Sequence, residues 1–147
     1  MPTITVPTAV AEDFHQRLHS LLTEIRDHYL PLIGPAIDAG LAGNIDLARQ
    51  IDADTNRISE AGDDLNPLAE DRMHYGDGVS SMVYGLIPGS TIDMMLCEID
   101  PVRLAKNMRL MADLNYTPEQ VAAQLAEDEA ERPANLERVA MERLQFA

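Results

Sequence analysis

Three of the chain's four histidines fall within Glu12–Pro31, EDFHQRLHSLLTEIRDHYLP. On a helix His15 and His19 sit one turn apart, with Glu12 a turn before His15. Imidazole and carboxylate at that spacing are donors suited to a divalent metal. A second pair, Glu70 and His74, repeats the four-residue interval. Helical bundles with di-metal carboxylate centres carry Glu-x-x-His on each of two helices. Glu12–His15 fits that motif, but the residue three before His74 is Asp71, not Glu. His15 and His19 also flank the apolar stripe of their helix instead of lying in it, and His28 points nearly opposite to His19. The expectation is solvated histidines, with no metal and no other cofactor.

Other catalytic patterns are missing. GDGVSSMVYG has glycines but lacks the Lys-Ser/Thr of a phosphate loop and a strand before it. No Gly-x-Ser-x-Gly elbow occurs. The single cysteine, Cys97, excludes an intrachain disulfide and a multi-cysteine zinc site, and its apolar setting MMLCEI predicts a buried, inert thiol. The chain is therefore expected not to be an enzyme.

Charge is the strongest compositional signal: 25 acidic residues stand against 11 basic ones, a net −14 with His neutral. Such a field repels nucleic acid and anionic membrane, so neither is expected as a direct partner. The acid is uneven. Asp38–Asp77 holds ten acidic and three basic residues, and Asp113–Glu131 holds six acidic and none basic. Between them Arg103, Lys106 and Arg109 repeat every three residues, able to pair internally or to meet a partner.

The elements that position these groups are helical. Val10, Phe14, Leu18, Leu21, Ile25 and Tyr29 form a three/four stripe after Thr8, predicted to kink or end at Pro31 and to break at Gly34-Pro35, with a short piece at 36–41. Asn44 caps a second long helix with Ile45, Ala48, Ile51, Thr55, Ile58, Gly62 and Leu65 on its apolar side; Pro67 should divide it from a shorter helix ending at Gly76. VSSMVYGLI is expected to be helix, since no second strand is available to pair with it. Ser90 with Asp93 reads as a capping box, Asp100-Pro101 as a capped start, Asn115 as a left-handed stop, and Thr117 with Gln120 as a second capping box. Two helices should follow, Pro118–Glu131 and Pro133–Phe146. NYTPEQVAAQLAEDEAERPANLERV has the outline of a helix-turn-helix, with Glu127-Asp128-Glu129 at the turn, too acidic for DNA but viable as a hairpin that docks on protein.

The fold expected is all-α: a compact helical bundle of two long N-terminal helices packed on several shorter Pro-capped ones. One domain is expected over 1–147, with 1–7 a flexible N-terminus. Neither a signal peptide nor an apolar run of about 18 residues is visible, so the setting expected is cytoplasmic, without membrane. The leading functional reading is an acidic protein-interaction or assembly module that binds a basic surface, with a homo-oligomer interface as a further use of its apolar stripes. Its expected partner-binding residues are Asp63, Asp64, Glu70, Asp71, Glu127, Asp128, Glu129 and Glu131. Two alternatives follow: an inhibitor that mimics nucleic acid in a target's binding site, and a metal-binding bundle built on Glu12, His15, His19, Glu70 and His74.

Overall fold

The computed structural model describes residues 8–72 and 78–146; the side chains at 10 and 66–72 lie outside that description. The expected flexible N-terminus, the stop at Gly76 and His74 therefore fall outside the described residues. Within them the fold is all-α, with no strand. The helices are α1 (Thr8–Glu24), α2 (Leu30–Leu41), α3 (Asp46–Arg72), α4 (Gly78–Leu86), α5 (Ser90–Ile99), α6 (Pro101–Asp113) and α7 (Pro118–Glu142). A π-turn, Ile25–Tyr29, joins α1 to α2, and a 3₁₀ turn, Arg143–Gln145, follows α7.

Three expected breaks do not occur. The first helix runs past Pro31 and Pro35 to Leu41, α3 passes Pro67, and α7 passes Pro133. A proline inside a helix removes one N–H and leaves a carbonyl free one turn earlier, on the same face. Pro31, Pro35 and Pro133 are all exposed, so that face is open to water, which can take the carbonyl. Ahead of Pro31 the π-turn widens the ladder as well, with the N–H of Leu30 donating to the carbonyl of Ile25. Because α7 is continuous, there is no turn at Glu127-Asp128-Glu129. The corner lies earlier, at Leu114–Thr117, where Asn115 adopts φ 62° and Thr117 and Gln120 complete their capping box.

The described residues form two compact units, one from 8–32 with 51–72 and 78–89, the other from 33–50 with 90–146. In the first unit the stripe of α1 and the π-turn buries Phe14, Leu21, Ile25 and Tyr29, while α3 buries Ile51, Ile58 and Leu65. The VSSMVYGLI segment is helix as expected: α4 with Ile87 contributes Val79, Val83 and Ile87, spaced every four residues. Gly62 lets α4 approach closely, since a Cβ there would lie 3.0 Å from the branched Cβ of Val83. The Tyr29 hydroxyl, buried, shares a 2.8 Å hydrogen bond with Thr55 Oγ1, which in turn lies 2.8 Å from the carbonyl of Ile51.

In the second unit the buried apolar residues are Ile33, Ala36, Ile37, Ala48, Ile92, Met95, Leu96 and Val139. Polar ties converge on α5 and α7: Thr91 Oγ1 donates to Glu142 at 2.7 Å, and Asn135 Nδ2 donates to Glu98 at 2.8 Å. Arg143 grips Asp38 through Nε and Nη2 at 2.8 and 2.9 Å, with its guanidinium laid over Gly34, where a Cβ would sit 2.9 Å from Cζ. Cys97, expected inside, is exposed. Ile92, Met95 and Leu96 define the inward side of α5, and Cys97, about 150° round from the midpoint of Met95 and Leu96, falls on the other side.

Candidate interaction surface

Asp100 is the first residue of the second unit to show how its charges are disposed. It caps α6, accepting from the N–H of Val102 at 2.9 Å, and is only 4% exposed. Arg49 reaches it with two hydrogen bonds, Nη2 to Oδ1 at 2.6 Å and Nε to Oδ2 at 3.2 Å. The Arg49 guanidinium, and then the Val102 N–H, hold the Asp100 carboxyl below its ordinary range, against the opposing push of burial. Asp38 is lowered in the same direction by Arg143. These pairs position α6 and close the second unit; they are fully used within it.

The acidic residues expected to meet a partner divide by unit. On α3, Asp63 is exposed but occupied: Ser80 Oγ and Tyr84 OH of α4 both donate to it, the latter at 3.3 Å. Asp64 is exposed and carries no ion pair to a described residue. Glu70 and Asp71 lie in the last turns of α3, with side chains outside the described ones. On α7, Glu127, Glu129 and Glu131 are exposed and form no ion pair with a described residue. Asp128 turns inward, half-buried, and accepts from Gln124 Nε2 at 2.9 Å. Arg132, the first cation after this run, also turns inward, 3.7 Å from Glu98. The structure thus places Glu127 and Glu131 on one side of α7 and Glu129 nearly opposite, while Asp63 and Asp64 belong to the other unit, and it removes Asp63 and Asp128 from the free set.

The three cations of α6 do not act alike. Arg103 donates to the carboxylate of Asp93 and lies 3.4 Å from Cys97 Sγ, fastening α6 to α5. Asp93 is thereby committed to α6. Lys106 and Arg109 are exposed and make no ion pair with a described residue. Both α6 and α7 pack on α5; of the two uses open to these cations, Arg103 pairs internally, with Asp93, while Lys106 and Arg109 remain available to a partner. No side chain of α6 is buried, and Val102, Met108, Leu110 and Leu114 stand 62, 45, 55 and 61% exposed. Sequence periodicity marked the amphipathic character of α6, and Leu104 and Met111 are half-buried, but it did not mark that Val102, Met108 and Leu110 stay exposed. The run of three cations was the available signal: repeated every three residues, they gather on one side of α6 and mark it as the side left to solvent, opposite Leu104 and Met111.

The histidines of the N-terminal segment lie in the other unit. His15 and His19 are exposed on α1 beside exposed Glu12, and His28 is exposed in the π-turn. The ring of His15 sits edge-on to Phe14, with centroids 5.4 Å apart. Among the described residues no three His, Cys, Asp or Glu side chains gather as a metal site would require. A groove of about 460 Å³ runs beside them, lined by Asp13, Arg17, Glu24, Arg57 and Leu65 among others. Its charges are already paired, Arg17 with Asp13 at 3.6 Å and Arg57 with Glu24 and Asp54. No described helix is long and apolar enough to cross a membrane.

No protein-family model, curated protein or solved structure matches this chain.

Proposed function

We propose that this chain is a non-enzymatic protein-interaction or assembly module, whose acidic helical surface meets a basic surface on a protein partner. One observation carries the reading. From Asp113 to Glu131 there are six acidic residues and no basic one, and Glu127, Glu129 and Glu131 stand exposed on α7 without a described counter-charge. Like charges four residues apart on a helix, as Glu127 and Glu131 are, repel one another by about 0.2–0.5 kcal/mol. A basic partner relieves that repulsion, and complementary charge also steers encounter and fixes register. The same acid disfavours nucleic acid and anionic lipid as direct ligands. A reducing, cytoplasmic setting suits an exposed and unpaired Cys97.

The test is affinity capture with the immobilised chain against the triple variant Glu127→Gln, Glu129→Gln, Glu131→Gln. The expected outcome is a basic protein retained by the native chain at low salt and released as salt rises, with retention at least about tenfold weaker on the variant. Equal retention on both would remove the acidic segment from the interaction.

A further inference from the structure

α6 presents to solvent a side made of Val102, Ala105, Lys106, Arg109 and, at its C-terminal end, Ala112 and Asp113, so that the two cations outnumber its one acid; all six are exposed, with exposed Met108 at the edge. Their spacing of three and four residues places them together along the helix. Arg103 is turned the other way, onto Asp93 of α5, so the outward side of α6 is held in a fixed orientation. α7 offers its counterpart. Ala122, Ala126 and Ala130 recur every four residues on the exposed side, flanked by exposed Glu119, Glu127 and Glu129.

The two surfaces match in three respects. Lys106 and Arg109 meet glutamates in sign. The alanine stripe allows two helix axes to approach to about 8 Å, leaving room for Val102 and Met108 to fill the seam. The lengths agree, because Val102–Ala112 spans about 15 Å and Ala122–Ala130 about 12 Å. Both surfaces sit in the same unit, and within the chain neither covers the other.

We infer that the two surfaces form one self-complementary interface: α6 of one copy lies along the α7 stripe of a second copy, and two-fold symmetry repeats the contact in reverse. The inference rests on the interaction reading above and names its basic partner surface, which is α6 of a second copy of this chain. A two-fold pairing covers two α6 surfaces and two α7 stripes at once, and leaves none of the four open. The net charge of −14 on each copy opposes association in general. Charges farther off than about 8 Å are largely screened at physiological salt, so the signs within the seam decide.

The test is the solution mass of the full chain by light scattering, with two charge-reversal variants. The first is Lys106→Glu with Arg109→Glu; the second is Glu127→Lys with Glu129→Lys. The native chain is expected to be dimeric, and each variant is expected to dissociate with a dissociation constant raised about a hundredfold or more. An equimolar mixture of the two variants should recover half of the native contacts as a mixed dimer, which misfolded chains would not do; circular dichroism confirms that each variant keeps its helices. The second variant is also less negative than the native chain, so simple net repulsion predicts that it associates better, against the expectation here. A native chain that stays monomeric, or a dimer indifferent to both reversals, overturns the inference. Either result leaves the interaction reading standing if the triple glutamine variant still loses a different basic protein, and overturns both if capture is unchanged as well.

Discussion

α1 and α6 are both amphipathic helices with a regular apolar spacing, yet they end in opposite situations. In the first unit, Phe14 and Leu21 of α1 are 2% and 6% exposed, shut in by a core that continues through Ile25 and Tyr29 of the π-turn. In the second unit α6 buries no side chain fully: Leu104 and Met111 are half-buried, and Met108 of its apolar stripe is 45% exposed. The difference lies in what each helix faces. α1 belongs to a unit in which α3 and α4 each bring an apolar stripe of their own, with Gly62 allowing close approach. α6 is attached through ion pairs at its N-terminal end, Arg49 to its capping Asp100 and Arg103 to Asp93, and beyond them only Leu104 and Met111 find partial cover. Periodicity announces that a helix has an apolar side; it says nothing about whether the same chain supplies the cover.

The largest expected effect that tests this contrast comes from the buried side. Phe14→Ala should lower the free energy of unfolding by about 3–5 kcal/mol, as loss of a fully packed aromatic does, measured by urea denaturation. A loss below about 1 kcal/mol would mean that the α1 stripe is no better packed than α6.

A smaller, pH-dependent effect separates the units by chemistry. Asp100→Asn keeps a side chain able to cap α6 but removes the charge that Arg49 binds. The folded-state pKa of Asp100 lies below its ordinary 3.8. Its pairing therefore stabilises the second unit fully above that value and is lost as the pH falls through the lower, folded-state pKa. The stability gap between native chain and variant should be constant near neutrality and close in acid. A gap that persisted unchanged at the acid limit would assign it to packing and not to the ion pair.

The smallest effect is expected on the exposed side. Val102→Ala should change unfolding stability by no more than about 0.5 kcal/mol when the chain is dilute, since the side chain touches little. The same substitution should weaken self-association. Those two readouts together sharpen the comparison, because a core position cannot show the second without the first.

Much of the fold was legible in particular residues. The α1 stripe, the Asn44 start of the second long helix, the helical VSSMVYGLI, the Asp100 cap, the Asn115 stop and the Thr117–Gln120 box all stand as the local pattern predicts. The helix ends at Pro31, Gly34-Pro35, Pro67 and Pro133 did not, and neither did the buried Cys97. Proline reports a missing donor, but whether the helix breaks depends on whether water or a π-turn can absorb the free carbonyl. The acidic set was legible as a count and not as a surface. Asp63 proved to be an anchor for α4 and Asp128 a partner of Gln124, because a carboxylate's availability depends on donors that are distant in sequence or one helical turn away.

By itself the sequence determined the all-helical class, the placement of caps and corners, and the concentration of acid between Asp113 and Glu131. All of these arise from contacts within a few residues, where backbone geometry and neighbouring side chains decide the outcome. Only the tertiary structure decided which amphipathic sides find cover, that Arg49 reaches Asp100 and Arg143 reaches Asp38, and that Lys106 and Arg109 are left facing out. Burial and pairing are properties of segments brought together from 51 and 105 residues apart. No local rule carries that information, because packing energy is realised only when both surfaces are in place.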